Sequence, residues 1–258
     1  MLSKNDIKYY SSLKKKKNRE QEGKFLIEGY HLVEECLNSP YSIECVIYSE
    51  TITTDKNDKL LVSFGTKNIP VHVVNKSSFK KLSDTESSQG IAAIINKKEN
   101  TPLSSYISGF IIALDRITDP GNLGTIIRTA FWFGAGGVLI GENSVDLFNP
   151  KVIRSTQGGL FHINISNNIN LPGSLSELRA GGFDILLLDV EAKKYLNEIQ
   201  FVNKTVFVFG NEADGISDNI LKQGYNRISI RGYSECESLN VAASSAIVMN
   251  EFRNRFKD

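Results

Sequence analysis

Five side chains between residues 122 and 240 of this 258-residue sequence have the types and spacing to share one chemical site. They lie in three short segments: Asn122-Leu123-Gly124-Thr125-Ile126-Ile127-Arg128, Gly210-Asn211-Glu212-Ala213-Asp214-Gly215, and Ser238-Leu239-Asn240-Val241. The groups on offer are the Asn122 amide, the Arg128 guanidinium, the Glu212 carboxylate, the Ser238 hydroxyl and the Asn240 amide. The second segment speaks most clearly. It ends the apolar run 205–209, and ligands of open α/β sheets bind outside the carboxyl ends of strands. Glycine at such an edge lets the backbone approach a ligand closely or adopt positive φ, and Glu212 adds a carboxylate there. Arg128 falls about 100° round a helix from Ile127, beside the packed face. Taken alone it reads as an ordinary surface arginine.

Other chemistries lack their parts. Neither GxGxxG nor GxxxxGK[ST] follows any candidate strand, so nicotinamide and P-loop readings have no phosphate cradle. His31, His72 and His162 are scattered and make no ligand-spaced cluster, so no metal site is expected. Cys36, Cys45 and Cys236 are odd in number with no CxxC spacing, which points to free thiols in a reducing, cytoplasmic setting. Cys236 has no base beside it in sequence. No apolar run reaches the roughly 18–20 residues of a membrane span, and the polar, lysine-rich N-terminus is not a secretory signal.

The elements that must position the site follow a βα rhythm. From residue 110 onward, candidate strands cover 110–114, 138–140, 184–188, 206–209 and 227–230, with a weaker one at 162–165. Several are continuous apolar runs, as expected of parallel strands covered on both faces. A helix starts near Asn122, with Asn122 as its expected N-cap and Leu123, Ile126, Ile127, Ala130 and Phe131 as its buried stripe. Asn149-Pro150 marks another helix start; Arg154 and Ser155 at that edge suit either RNA contact or a structural cap. Ser238 or Asn240 can cap the small-residue helix that begins at Val241. The first 97 residues form a small α/β domain, with helices at 29–37, near 55–64 and near 77–83, and strands at 43–48, 71–74 and 90–95. A polar linker over 98–109 separates the two parts. Net charge is only +1, yet residues 1–24 hold eight Lys or Arg against three acids. Lys14, Lys15, Lys16, Lys17 and Arg19 in this arm read equally well as a solvated helix end or as groups able to neutralise RNA phosphates.

Taken together, the three segments resemble, in order and spacing, motifs one, two and three of the SpoU/TrmH class of SPOUT RNA methyltransferases. The likeness covers essentially all of 110–258. Residues 1–97, including Gly23-Lys24-Phe25-Leu26-Ile27-Glu28-Gly29 and Ser83-Asp84-Thr85-Glu86, resemble the L30e-like substrate-binding domain common in that family. One departure is Ser229, where the family usually carries proline.

The resemblance implies an α/β fold whose C-terminal SPOUT-type parallel sheet forms a trefoil knot, preceded by the small L30e-like domain. It implies a homodimer through the methyltransferase domain and S-adenosylmethionine (SAM) as cofactor. Carried over by position, the cofactor pocket comprises Gly210, Ile230, Gly232, Leu239 and Asn240, largely through backbone contacts, joined by Leu188 and Asp189. The implied reaction is methyl transfer to a ribose 2′-hydroxyl of RNA. The two-domain layout favours 23S ribosomal RNA, with transfer RNA the nearest alternative. An RNA-binding homologue without methyl transfer is a second class, which retention of Asn122, Arg128, Glu212, Ser238 and Asn240 argues against. Family mechanisms give the activating role to Arg128. Because guanidinium groups hold their protons in proteins, Arg128 is expected to anchor the adjacent phosphate and stabilise the developing alkoxide. A phosphate oxygen or water then takes the proton. Asn122 and Glu212 position Arg128 and the nucleotide, while Ser238 and Asn240 orient the ribose or the methionine end.

Overall fold

In the computed structural model, residues 2–50 and 55–256 are described. The chain divides into two compact units, residues 1–99 with 148–161, and residues 100–147 with 162–258.

The first unit opens with α1 (Lys4–Ser12) and α2 (Lys16–Glu22), so the basic arm is folded helix. Ser3 and Asp6 form a reciprocal capping box at the start of α1. Arg19, expected as a phosphate contact, is a correction. It is 3% exposed, and its guanidinium donates to the carbonyls of Leu13 (2.8 Å) and Lys14 (2.7 Å). Those carbonyls lie where α1 ends and have no helical partner of their own, so a buried cation there is structural. Lys15, Lys16 and Lys17 stay exposed, and Lys14 donates to the Ser83 carbonyl.

Next come β1 (Lys24–Glu28), α3 (Tyr30–Leu37), β2 (Ile43–Ser49), α4 (Asp55–Thr66), β3 (Val71–Val74), α5 (Lys76–Leu82) and β4 (Ile91–Asn96). Their sheet has the order β1-β4-β2-β3, antiparallel except for β2 with β3. Glu28, at the end of β1, accepts from Ser83 Oγ (2.7 Å), Thr85 Oγ1 (2.9 Å) and the Asp84 amide (3.0 Å). Burial alone would raise its pKa, but these donors together with Ser88 outweigh it and hold the carboxyl below its ordinary range.

The second unit contains β5 (Phe110–Leu114), α6 (Pro120–Trp132) and β6 (Gly137–Gly141). The chain then supplies α7 (Pro150–Thr156) to the first unit and returns as β7 (Ile165–Ile169), α8 (Leu171–Ala180) and β8 (Asp184–Leu188). It ends with β9 (Thr205–Phe209), α9 (Asp218–Leu221), β10 (Asn226–Ile228) and α10 (Val241–Arg255). The sheet is wholly parallel, in the order β10-β8-β9-β5-β6-β7. β5, β6 and β9 are buried along their whole length because helices cover both faces. On one side Leu171, Leu175 and Leu178 of α8 meet Ile111, Leu139 and Val206. On the other, Phe252 of α10 packs against Phe110 (4.8 Å between ring centroids) and Phe207 (5.8 Å). α10 also lies on α6, where Arg253 donates to the carbonyls of Phe133 and Gly134, both at 2.6 Å.

Several expected details change. The weak strand at 162–165 begins only at Ile165, and the strand expected over 227–230 is Asn226–Ile228. Phe131 is 45% exposed rather than part of the buried stripe, and it stacks on His162 at 5.3 Å. The stretch expected to link the two parts is partly packed into the second unit: Tyr106 is buried and its hydroxyl meets Ser166 Oγ at 3.0 Å. Asn149 and Pro150 do start α7 as expected, with Asn149 Oδ1 accepting from the Lys151 amide. No helix among the described residues is long and apolar enough to cross a membrane.

Candidate active site

β5 and β9 are neighbours, with Leu114 opposite Phe209, so the loops leaving them start at the same level. The chain runs from β5 outward toward β6, and from β9 toward β10 on the other side. Their carboxyl ends therefore flank the point where strand order reverses, the usual crevice of an open parallel sheet.

The loop after β5 fastens the turn after β9. The Asp115 amide donates to the Phe209 carbonyl (2.8 Å), and the nearly buried Asp115 carboxylate accepts the Ser217 amide (2.7 Å). Arg116 has φ +58°, a left-handed backbone uncommon outside glycine. Its carbonyl accepts from Asn211 Nδ2 (2.8 Å), its Nη2 donates to the Gly215 carbonyl (3.2 Å), and Asp214 lies 3.8 Å away. Asn211 Oδ1 caps the turn by accepting the amides of Ala213 and Asp214. A Cβ on Gly210 would fall 2.2 Å from the backbone carbon of Gly215, so only glycine fits. Asp115, Arg116 and Asn211 were not singled out by sequence reasoning. The signal available was polar residues placed directly after two buried strands.

This clamped turn presents Glu212. Its Oε1 accepts from Asn122 Nδ2 at 2.8 Å, and Asn122 Oδ1 accepts from Asn240 Nδ2 at 2.9 Å. One chain of hydrogen bonds thus joins all three sequence segments, with Asn122 at its centre. The arrangement depends on a correction at the start of α6. The N-cap is Asp119, whose Oδ1 accepts the Asn122 amide (2.7 Å), with Pro120 as the first helical residue. Asn122 is therefore inside the first turn, and its side chain is free to reach across the crevice. Asn240 does two jobs: its Nδ2 reaches Asn122, while its Oδ1 accepts the amides of Ala242 (2.9 Å) and Ala243 (3.3 Å) to cap α10.

Arg128 stands apart. It is exposed on α6, about 9 Å along the axis from Asn122 at 1.5 Å per residue, and has no hydrogen-bond or ion-pair partner among the described residues. Ser238 is likewise exposed, and its carbonyl accepts from Cys236 Sγ (3.2 Å).

Of the expected cofactor positions, Gly210 sits at the end of β9, and Ile230, Gly232 and Leu239 belong to the loop 230–239. Among the described residues, that loop makes no backbone–backbone hydrogen bond, and no heavy atom lies within 4 Å of a Cβ built on Gly232. Leu188 ends β8. Asp189, expected to join the cofactor pocket, has a carboxylate that pairs with Arg227 and accepts the Glu191 amide, which fixes the start of the following segment. Ser229 is buried, and its N–H donates to the Lys194 carbonyl at 2.9 Å, a bond proline cannot make. In the first unit, Arg154 pairs with Asp84 at 3.4 Å, and Ser155 Oγ bonds back to Lys151 within α7. The latter is bonding within the helix. Among the described residues, no group of three His, Cys, Asp or Glu is placed to hold a metal ion.

Comparison with known proteins matches a family model described as the SpoU rRNA Methylase family to residues 109–250. A second, described as the MRM3-like substrate binding domain, matches residues 4–93. The 23S rRNA (guanosine(2553)-2'-O)-methyltransferase RlmP of Bacillus subtilis (strain 168) is 32% identical over 96% of this chain and 95% of its own. A crystal structure of AdoMet-bound rRNA methyltransferase from Sinorhizobium meliloti superposes with a TM-score of 0.88 at 25% identity, covering 100% of this chain and 97% of that one. The SpoU methyltransferase AviRb from Streptomyces viridochromogenes, at 21% identity and a TM-score of 0.86 over 98% of each chain, shares the fold. With the family model spanning the whole crevice and a relative aligned almost end to end, the chain belongs to the SpoU rRNA methylase family.

Proposed function

We propose that this protein transfers a methyl group from SAM to a ribose 2′-hydroxyl of 23S ribosomal RNA. The observation that carries the reading is the Glu212–Asn122–Asn240 hydrogen-bond chain at the point where strand order reverses. The B. subtilis relative, named for 2'-O-methylation of 23S rRNA, supports the ribose and the ribosomal substrate. The AdoMet-bound S. meliloti structure supports the cofactor.

The residues present suit that cofactor. The main chain of 230–239 has donors and acceptors not used by other backbone groups among the described residues, and Gly232 leaves its flank open. These match an adenine edge and ribose hydroxyls, which need hydrogen-bonding partners rather than a phosphate cradle. Ile230, Gly232, Leu239 and Gly210 would hold the group. Bound SAM supplies a methyl on a positively charged sulfur that leaves as a neutral thioether.

The protein's tasks are then to orient the hydroxyl and to stabilise the charge that develops on it. The Asn122 amide is already bonded at both ends, so it acts by fixing Glu212 and Asn240 relative to each other. Arg128 is exposed and has no hydrogen-bond or ion-pair partner among the described residues, which suits it to an RNA phosphate and a developing alkoxide. A phosphate oxygen or water takes the proton. Ser238, on the open loop, orients the ribose or the methionine end. Residues 1–97 serve as the RNA-binding domain, with Lys15, Lys16 and Lys17 on its exposed arm and 98–109 joining it to the methyltransferase part. Two copies pair through the methyltransferase domain. Trp132 is 83% exposed, and Phe131 and Ile247 are partly exposed on the packed pair α6 and α10, which supports that pairing. The C-terminal segment carrying Asn240 forms the trefoil knot.

The test is tritiated-SAM transfer to RNA from a strain lacking the gene, followed by nucleoside mass spectrometry, with Arg128→Ala as control. A 2′-O-methyl nucleoside in 23S rRNA, absent with the variant, is the expected outcome. A methylated base, or label confined to transfer RNA, would overturn the substrate reading.

A further inference from the structure

Between β8 and β9 the chain makes a strap, residues 189–199, that is tied along its length to the segment leading into the loop 230–239. Arg227 pairs with Asp189 and lies 3.7 Å from Glu191. Ser229 alone makes three bonds to the strap. Its N–H donates to the Lys194 carbonyl (2.9 Å), its carbonyl accepts the Leu196 amide (2.8 Å), and its hydroxyl donates to the Ala192 carbonyl (3.0 Å). Two residues on, the Arg231 guanidinium lies over the Tyr195 ring, 4.2 Å from its centroid. The far end is held by Arg255 of α10, which donates to the carbonyls of Ile199 (2.6 Å) and Asn197 (3.2 Å).

The contrast with the neighbouring loop is sharp. Ser229 is 5% exposed and fully bonded, while every residue from 231 to 240 is exposed and, among the described residues, 230–239 make no backbone–backbone hydrogen bond. A loop with so little internal bonding has no conformation of its own to offer a ligand. Its position is set at its two ends, by Asn240 at one and by Ser229 with the Arg231–Tyr195 stack at the other. Pre-setting such a loop lowers the ordering cost of binding.

We propose that Ser229 is a positioning residue for the cofactor: it fastens the strap 189–199 to the root of the loop 230–239, so that the strap becomes a fixed wall of the cofactor crevice. This rests on the SAM reading above. Ser229 acts through the strap and not by touching the ligand, since all three of its polar groups are engaged by strap residues. Ser229 stands where the family usually carries proline, so Ser229→Pro tests whether this chain's strap depends on the serine: it removes the N–H and the hydroxyl together, whereas Ser229→Ala removes the hydroxyl alone.

The strap carries its own reporter, because Lys193 and Lys194 are exposed and adjacent, and the Lys194 carbonyl is the one held by Ser229. The experiment compares the full-length wild type, Ser229→Ala and Ser229→Pro by limited trypsin digestion with mass-spectrometric assignment of the cuts, and by calorimetric titration with SAM. Thermal melts check that each variant is folded. In Ser229→Pro, cleavage after Lys193 and Lys194 is expected to rise about tenfold and SAM binding to weaken about tenfold, with Ser229→Ala between it and the wild type on both readouts. SAM is expected to slow the wild-type cuts. Wild-type binding matched by both variants, with unchanged cleavage, would overturn the proposal and leave the functional reading intact. A wild type that binds no SAM would overturn the functional reading and the proposal with it. Should Ser229→Pro fail to fold, Ser229→Ala decides: cleavage and affinity both equal to wild type refute the role.

Discussion

Exchanging the donor and acceptor between Asn122 and Glu212 isolates the central hydrogen bond of the site. Asn122→Asp keeps side-chain shape and still offers an oxygen to Asn240 Nδ2, but it replaces the amide donor 2.8 Å from Glu212 Oε1 with a second carboxylate. The lost charge-assisted bond contributes about 1.5–3 kcal/mol where desolvated. Two charges about 3 Å apart add a repulsion of about 1.4 kcal/mol at the screening of bulk water. Glu212 is exposed, so both figures are taken at their lower ends, because the two carboxylates can turn into solvent. The net loss of about 1.5–3 kcal/mol corresponds to roughly a ten- to hundredfold fall in kcat/KM. Glu212→Gln alone keeps an acceptor oxygen for Asn122 and loses only the charge, so it is expected to cost about fivefold. In the double variant, Asn122→Asp with Glu212→Gln, the amide introduced on the turn can donate to the carboxylate introduced on α6. The bond is restored with its polarity reversed. Activity should return to within about tenfold of wild type, well above Asn122→Asp alone. The assay is methyl transfer from tritiated SAM with RNA from a strain lacking the gene, under kcat/KM conditions. A double variant no better than the worse single would refute the positioning role of Asn122. A Glu212→Gln variant inactive by itself would show that the Glu212 carboxylate acts on the substrate.

Four further outcomes follow from the geometry. Arg19→Ala should destabilise the protein by about 2–4 kcal/mol in urea unfolding, because it strands one buried and one part-buried carbonyl. Replacing Lys15, Lys16 and Lys17 with alanine should leave stability nearly unchanged and lower the salt slope of RNA binding by about 0.7 for each phosphate no longer neutralised. The Glu28 carboxyl has its pKa depressed in the folded protein, so its stabilisation is fully present above the unfolded value near 4.5 and is lost as pH falls through the folded value. Thermal melts should therefore show a gap between wild type and Glu28→Gln that is constant near neutrality and closes below about pH 4.5. Gly210→Ala forces a Cβ onto the Gly215 backbone and should cost at least about 2 kcal/mol in thermal or urea unfolding, because main chain on both sides must shift.

Much of this architecture is legible in the sequence because buried parallel strands leave an unambiguous trace. The runs at 110–114 and 205–209 have no polar interruption beyond Thr205, and both are strands buried throughout. Asn149-Pro150 names a helix start because its cap and first residue are local. The same rule applied at Asp119-Pro120 would have placed the α6 cap correctly. Asn122 is equally able to cap, and only the structure shows its side chain engaged by Glu212 and Asn240. Phe131 falls on the helical apolar period yet lies exposed, since periodicity specifies a face and not where that face runs out of partners. Arg19 escapes the sequence for a related reason: inside a run of lysines its charge looks solvated, and its burial depends on carbonyls five and six residues away. Ser229 marks the same limit, because its bonds run to residues 33–37 positions earlier in the chain.

The decisive measurement maps 2′-O-methylation across 23S rRNA at nucleotide resolution, using alkaline-hydrolysis protection, in cells lacking the gene. The deletion strain would be complemented with wild type or with Arg128→Ala. One position should lose protection on deletion, regain it with the wild-type gene and stay unmethylated with the variant. A map unchanged by deletion would refute 2′-O-methylation of 23S rRNA by this protein.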